Sequence, residues 1–365
     1  MQRSATIAIV ISSFLIATVG SADAAIEAGN LSYLGSFELP HNIGEYNWGS
    51  LAYDNSGAQE LVYWSSYSDI YSATIPTLLD ATAVGHENLN VATPANGDAS
   101  VKQDRMGGLR VRGTDLWSGG RNDYYQAPLD LSTTTNYGDN GGSCHGLSPV
   151  PQDVIDAVEA ARGLATDALD GYDTLHVENY YVRPDFILAN VDDGIPGVDG
   201  SVSQQAFFHT TGGATQNGDW HQLAYGVEWV SDPADSNYQE GRIVVAEVDQ
   251  DDLTQGLAFY DLDSLLVYGT GTSGSAADPA TVRTSEFDLE PYLSVNGAGN
   301  YHGVAAIAYD PVTKRLFVGE GSDDLGDGGA GGVVHVFSVP EPATMGLLTL
   351  GIAVMRLRRR RRRVM

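Results

Sequence analysis

The sequence predicts an all-β protein, and three observations support this. Turn-forming residues are dense, with 43 glycines and 14 prolines among 365 residues. Between the turns lie short runs rich in Val, Ile, Tyr and Leu, which are typical of short strands. Several of these runs also repeat one pattern, in which a strand, a tight turn and a second strand follow each other.

The repeated pattern is clearest near the C-terminus of the chain. Residues 307–310 read Ile-Ala-Tyr-Asp, a turn containing Pro311 follows, and residues 316–319 read Leu-Phe-Val-Gly. Further copies, given by the spans of their two strands, lie at 51–54 with 61–64, 108–111 with 116–119, and 257–260 with 265–268. We expect each copy to form a β-hairpin.

This hairpin resembles the two innermost strands of a β-propeller blade. In such a blade the first strand lines the central channel, where small residues such as Ala308 fit, and the second strand is buried between blades and is continuously apolar. At about 40–50 residues per blade, the body of the chain has room for six or seven blades. The strand-like segments 31–39 and 333–338 could pair within one blade and so close the ring. A β-sandwich or jelly roll is the alternative architecture.

One stretch departs from the pattern. Residues 132–225 fit the hairpin poorly, and the apolar residues within 152–169 follow helical spacing. We therefore expect a small helical insertion at about 132–171.

The N-terminus predicts export. Arg3 supplies a positive charge, residues 5–19 are apolar, and Ala22-Asp23-Ala24 forms a small-x-small cleavage site. We assign residues 1–24 to a signal peptide. An uncleaved membrane anchor is the rival interpretation, but the apolar segment is short for one.

The C-terminal residues 339–365 combine three elements. Val339, Pro340, Glu341 and Pro342 form an extended segment fixed by proline. The apolar run that follows is shorter than the ~20 residues that span a bilayer comfortably. The chain then ends in a basic stop that resists translocation. Its arginines are Arg356, Arg358, Arg359, Arg360, Arg361, Arg362 and Arg363. A nucleic-acid-binding tail would explain the arginines but not the apolar run.

This order of elements resembles the PEP-CTERM sorting tail of exported proteins in Gram-negative, biofilm-forming bacteria. The resemblance implies a membrane protease of the exosortase family as a partner and transient anchoring in the inner membrane by a transmembrane segment. It also implies a final location at the cell surface or in the extracellular matrix. It says nothing about the body, residues 25–338, which we assign to one extracytoplasmic β domain.

The charge of the body excludes two classes of partner. The whole chain has 19 basic and 47 acidic side chains, and without the signal and the tail 11 basic and 45 acidic ones are left. Such an acidic protein is repelled by nucleic acid and by anionic membrane surfaces. Its charge favours divalent cations and neutral or cationic polymers, although it could also serve solubility alone.

The search for catalytic motifs yields little. Cys144 is the only cysteine, which excludes an intrachain disulfide. Together with His145 it forms the most catalytic-looking pair, but neighbouring side chains on an extended segment point apart. Walker, GxSxG, HExxH and CxxC motifs do not occur. A site assembled from several blades would leave no such motif, so an enzyme is not excluded.

Acidic, glycine-containing loops suggest calcium binding. Calcium prefers six to eight oxygen ligands, and glycine lets backbone carbonyls turn toward the ion. No loop follows the EF-hand pattern, and an acidic protein is expected to carry Asp in its turns. The candidate ligands are Asp192, Asp193, Asp199, Asp323, Asp324 and Asp327, with a further cluster at Asp249, Asp251 and Asp252.

Aromatic residues beside polar ones suggest a sugar site. Tyrosine rings can stack on sugars while carboxylates bind hydroxyls, but the same rings could pack between blades. The candidates are Arg121, Asp123, Tyr124 and Tyr125. Two functions are therefore open. The first is a non-enzymatic binding module of the exopolysaccharide or biofilm matrix. The second is a secreted polysaccharide hydrolase or lyase with carboxylates in a propeller channel.

Overall fold

The fold was analysed in a computed structural model of the chain. It describes residues 26–41, 43, 51–66, 69–80, 89–96, 99–100, 106–120, 123–139, 144–179, 184–189, 204–208, 222–231, 238–249, 254–269, 283–293, 303–321 and 332–339.

The described strands form five antiparallel sheets, called blades I to V. Blade I contains β2 (Leu51–Asp54), β3 (Leu61–Ser66), β4 (Asp69–Thr74), β5 (Thr93–Pro94) and β6 (Ala99–Ser100). Blade II contains β7 (Met106–Arg112), β8 (Asp115–Gly120), β9 (Asp123–Pro128) and β10 (Thr135–Asp139). Blade III contains β11 (Cys144–Pro149), β12 (Thr174–Asn179), β13 (Pro184–Ala189) and β14 (Gln204–Phe208). Blade IV contains β15 (Gln222–Val230), β16 (Arg242–Asp249), β17 (Gln255–Tyr260) and β18 (Arg283–Asp288). Blade V contains β19 (Gly303–Asp310), β20 (Arg315–Gly321), β21 (Val333–Ser338) and the N-terminal strand β1 (Ser32–Glu38).

The five blades form a closed ring, which makes the fold a β-propeller. Their first strands contact one another in the cyclic order β2, β7, β11, β15, β19 and back to β2. The propeller architecture is confirmed, but the described part of the chain holds five blades rather than six or seven. Blades III and IV, at residues 144–208 and 222–288, are longer than the expected 40–50 residues because long connections separate some of their strands, whereas blade II at 106–139 is shorter.

Blade V closes the ring as expected from the terminal segments. Its first three strands come from the C-terminal part of the body, and the N-terminal strand β1 forms its outer edge. Ser32 pairs with Ser338 and Glu38 with Val333. The two ends of the body are thereby joined by the backbone ladder of one sheet.

The propeller has two distinct ends. The lower end is the end of the propeller at which the first strand of each blade is connected to the second strand. The upper end is the opposite end. The lower-end connections are residues 55–60, 113–114, 150–173, 231–241 and 311–314.

The hairpin pattern identified the inner strands of three blades. The copies at 307–319, 51–64 and 108–119 are the first two strands of blades V, I and II. For the copy at 257–268, the prediction of a second strand was wrong. Its first half is β17, the third strand of blade IV, but residues 262–269 form the helix α2 (Leu262–Gly269).

The expected helical insertion is present but narrower than predicted. Helix α1 (Gln152–Arg162) lies between the first two strands of blade III, at the lower end. Arg162 occupies its last turn, and Gly163 ends it in the left-handed conformation at φ 65°. Residues 135–139 and 144–149, which the prediction had included in the insertion, are regular blade strands. Two 3₁₀ turns, Ala28–Asn30 and Tyr238–Glu240, complete the described helical residues.

Apolar side chains fill four of the five interfaces between blades. Separate buried clusters join blades III and IV, IV and V, V and I, and I and II. These clusters form because the second strand of a blade is continuously apolar and is buried between its neighbours. In β20, for example, only Arg315 is partly exposed. The interface between blades II and III is different and is described below.

The segment of blade I that contains Asp80, which we call the strap, covers the free edge of β1. The backbones of Ser36 and Asp80 exchange two hydrogen bonds of 2.8 and 3.0 Å. Gly35, at φ 136°, permits this approach, because a Cβ there would lie 2.7 Å from the carbonyl oxygen of Asp80. The strap thus protects the edge strand of the closing blade from pairing with other chains.

Candidate functional site

The first strand of every blade has an equivalent position that faces the next blade near the lower end. It lies two residues before the pairing with the second strand ends in blades I, II, IV and V, and one residue before that end in blade III. In blades I and V this position holds alanine, whereas in three consecutive blades it holds a buried polar residue. In blade order the residues are Ala52, Arg110, Ser148, Glu228 and Ala308.

Ser148 and Glu228 link three blades through these positions. The Ser148 hydroxyl donates to Glu228 Oε2 at 2.7 Å and accepts the Trp229 backbone N–H at 2.7 Å. The Glu228 carboxyl in turn accepts the backbone N–H of Tyr309 in blade V. Each polar side chain therefore satisfies a backbone group on the first strand of the next blade, which would otherwise be buried without a partner.

The Glu228 carboxyl is protonated at neutral pH. Burial raises its pKa to about 8, against the lowering effects of the Ser148 hydrogen bond, the Arg110 charge and the Tyr309 N–H. The side chain is only 6% exposed. A buried carboxyl without a directly paired cation is expected to bind a proton rather than carry a charge.

Arg110 joins blade II to blade III. Its Nη1 lies 3.1 Å from Asp173 Oδ1 and also donates to Thr174 Oγ1. Arg112 Nε approaches the second oxygen of Asp173 at 2.9 Å. Burial lowers the pKa of Arg110, and the Asp173 carboxylate opposes this effect. One carboxylate therefore holds two guanidinium groups of the neighbouring blade.

The interface between blades II and III is polar in its described residues. Besides the Arg110–Asp173 contact it contains His176, which is 1% exposed and lies on the same face of β12 as Thr174. Burial lowers the pKa of His176 to about 4, so its imidazole is neutral at neutral pH. The contacts described across this interface are ionic and polar, whereas each of the other four interfaces also contains a buried apolar cluster.

A second set of buried acids recurs on the second strands, at the upper end. Glu247 and Glu320 each pair with the residue directly before a bulge in the first strand. Glu178 has the same backbone position in blade III. No sequence motif marks these residues, but aligning the three second strands would have revealed the repeated glutamate.

Both described glutamate side chains have structural partners. Glu247 accepts a hydrogen bond of 2.5 Å from the Tyr260 hydroxyl and pairs with Arg283 Nη2 at 2.6 Å. Burial and the Glu247 charge raise the pKa of Tyr260. Glu320 Oε2 lies 3.0 Å from His335 Nε2. These contacts tie the second strand of a blade to its outer strands.

The remaining buried carboxylates are also engaged in the fold. Asp310 accepts the Val312 N–H at 2.9 Å and so stabilises the turn after β19. Asp54 accepts the Ser56 N–H at 2.9 Å in the equivalent turn of blade I. Glu159 accepts the Leu169 N–H at 2.7 Å and so fixes the loop after α1.

Of the predicted sugar-binding residues, the structure describes Tyr125 and the backbones of Asp123 and Tyr124, at the upper end of blade II. Asp123 begins β9 directly after the connection from β8. Tyr125 is 5% exposed and receives a hydrogen bond of 3.3 Å from Asn136 Nδ2, so its ring packs inside the blade. Arg121 and the side chains of Asp123 and Tyr124 lie outside the described residues.

The predicted calcium ligands all lie outside the described residues, apart from the backbone of Asp249. Asp192, Asp193 and Asp199 follow β13, which ends at the lower end, whereas Asp323, Asp324 and Asp327 follow β20, which ends at the upper end. Across the described ranges, no group of three or more His, Cys, Asp or Glu side chains could hold a metal ion.

The Cys144-His145 pair begins β11 at the upper end of blade III. Only the backbone of these two residues is described, and Cys144 pairs with Glu178 across the ladder.

The first residue of the predicted sorting motif belongs to the folded body. The Val339 N–H donates to the Lys314 carbonyl at 2.8 Å, and its side chain is 4% exposed. Pro340, Glu341, Pro342 and the arginines from Arg356 to Arg363 lie outside the described residues. Within the described segments, no helix is long and apolar enough to span a membrane.

The comparison with protein families confirms the sorting tail. A family model described as the PEP-CTERM protein-sorting motif matches residues 338–362. The chain is therefore an exported protein that is processed while anchored in the membrane, and its signal is that of an exosortase substrate. The match begins at Ser338, the last residue of β21.

Two solved structures are similar to the chain over most of its length. The WD40 domain of Neurospora crassa Pan2 is 7% identical over 87% of this chain and 98% of that domain, with a TM-score of 0.32. The N-terminal domain of Nup159 is 10% identical over 84% of this chain and 64% of that domain, with a TM-score of 0.30. The chain thus spans less than two thirds of the Nup159 domain. A search of curated proteins gave no match.

Proposed function

We propose that this protein is a non-enzymatic binding module of the extracellular polysaccharide matrix, and that the upper end of the propeller carries its binding face. The observation that supports this proposal most is that the described buried carboxylates are engaged in contacts within the fold. Each of the six in the described residues accepts a hydrogen bond or pairs with a cation inside the fold. A glycosidase instead needs two carboxylates that face the substrate.

Charge and topology support the same proposal. The acidic body favours neutral or cationic polymers over nucleic acid. The connection at residues 121–122, which joins β8 to β9, belongs to the upper end and carries Arg121 next to Asp123 and Tyr124. Connections on a rigid strand scaffold are the usual place for binding residues.

A second candidate is a secreted polysaccharide hydrolase or lyase, and Glu228 is the observation that favours it. With a pKa of about 8, this carboxyl holds a proton at neutral pH, as a general acid must. Its low exposure of 6% and its contacts to two neighbouring blades favour a structural role.

One experiment distinguishes the two candidates. The purified exported protein is incubated with the exopolysaccharide of its producer, and polymer size and free protein are followed by size-exclusion chromatography. Co-elution of protein with intact polymer supports the binding module, whereas shrinking polymer supports the enzyme. If neither occurs, both functions are wrong.

Variants assign the binding face. The double change Tyr124→Ala with Arg121→Ala is expected to reduce co-elution. Tyr137→Ala is the matched control, because this tyrosine is 37% exposed on the outer strand of the same blade. Glu228→Gln should leave binding unchanged if the protein is not an enzyme, and should abolish polymer shrinkage if it is one.

A further inference from the structure

The membrane-anchoring tail leaves the propeller at its lower end. Ser338, the last residue of β21, pairs with Arg315, which directly follows the lower-end turn 311–314. The next residue, Val339, is buried and bonded to the carbonyl of Lys314 in that turn. The chain is therefore held by the fold up to Val339, and no free linker lies between the last strand and the sorting motif.

The segment between the body and the membrane is very short. Only Pro340, Glu341 and Pro342 separate Val339 from the apolar run that begins at Ala343. A fully extended chain reaches at most about 3.6 Å per residue, so this segment spans roughly 14 Å. The headgroup layer on one side of a bilayer is itself about 5–8 Å thick. The lower end can thus stand only a few residue lengths above the headgroups.

The lower end is not built to adhere to anionic lipid. Its five described connections carry eight acidic side chains, namely Glu60, Asp153, Asp156, Glu159, Asp167, Asp170, Asp173 and Glu240, and two basic ones, Arg162 and Lys314. Like charges repel at this distance. The tail, rather than any affinity of the surface, must hold this end at the membrane.

We propose that before processing the lower end of the propeller faces the headgroup surface of the membrane, while the upper end points away from it. All five lower-end connections, including helix α1, then lie at the membrane, and the connections that carry the candidate binding residues lie on the far side. This orientation rests on the position of Val339 and on the length of the motif. It holds whatever the upper end binds.

Fluorescence quenching by lipid tests the orientation in the full chain. Cys144→Ser removes the native thiol, and single cysteines are then introduced by Val312→Cys or Thr114→Cys at the lower end, or by His41→Cys at the upper end. Val312 is 71% exposed, and Thr114 and His41 are exposed as well. The labelled proteins are inserted into phosphatidylcholine vesicles that contain a headgroup-spin-labelled lipid.

We expect several-fold stronger quenching at Val312→Cys and Thr114→Cys than at His41→Cys. Cleavage of the tail should abolish the quenching at all three positions. Equal quenching at both ends, or stronger quenching at His41→Cys, would overturn the orientation. Quenching at Val312→Cys without quenching at Thr114→Cys would also overturn it, because the propeller would then lie on its rim. The two lower-end variants keep the test valid if one of them fails to fold.

Discussion

Replacing Glu228 by glutamine should make the protein less sensitive to alkaline pH. The folded state holds this carboxyl protonated with a pKa of about 8, whereas its ordinary value is 4.5. Because the folded pKa is the higher one, the stabilisation is complete below pH 4.5 and is lost as the pH rises to 8. Between pH 5 and pH 8 the wild type should lose about 3 kcal/mol of unfolding free energy through this group alone.

Denaturant unfolding of wild type and Glu228→Gln at pH 5 and pH 8 measures this loss. The difference in unfolding free energy between the two proteins should shift by about 3 kcal/mol in favour of the variant at pH 8, since glutamine does not titrate. Glu286→Gln is the control, because this carboxylate is 58% exposed. A difference between wild type and Glu228→Gln that is the same at both pH values would refute the reasoning.

Four further outcomes are expected. His176→Gln should remove a loss of about 3 kcal/mol that the wild type shows as the pH falls from 6.5 to 4, measured by denaturant unfolding. Gly35→Ala should lower the unfolding free energy by about 1–3 kcal/mol, because the added Cβ would collide with the Asp80 carbonyl. Gly29→Ala is the control and should leave the unfolding free energy unchanged, because no atom lies within 4 Å of its added Cβ. Glu247→Ala should cost about 3–5 kcal/mol, because it removes the buried carboxylate that pairs with Arg283 and accepts the Tyr260 hydroxyl, whereas Glu286→Ala, at the exposed partner of Arg283, should cost less than about 1 kcal/mol. A thermal melt should shift upward in millimolar calcium relative to chelator, and identical melts would contradict the calcium hypothesis.

The sequence predicted those parts of the fold that local patterns determine. The repeats at 51–54 and 307–310 share an Ala-Tyr-Asp core, because both form the end of a first strand before a turn stabilised by the aspartate, Asp54 or Asp310. Blade IV was misread because residues 231–241 separate its first two strands, so no tight turn marks the hairpin.

The polar positions near the lower end could not be predicted from the sequence. Arg110, Ser148 and Glu228 come from three blades, and only the closed ring brings them into one layer. Each lies in a short strand that looks ordinary by itself. The tail was easier to identify, because its function depends on the order of residues along the chain and not on their positions in a fold.

The closing blade also has a consequence for translocation. In an exported chain β1 is among the first parts of the body to cross the membrane and β21 is among the last. Ser32 and Ser338, which these strands bring together, are 306 residues apart. Contacts between such distant residues form late, because the entropy of closing a long loop must first be overcome. The ring can therefore close only when nearly the whole body has emerged, so the closing blade is completed at the end of export.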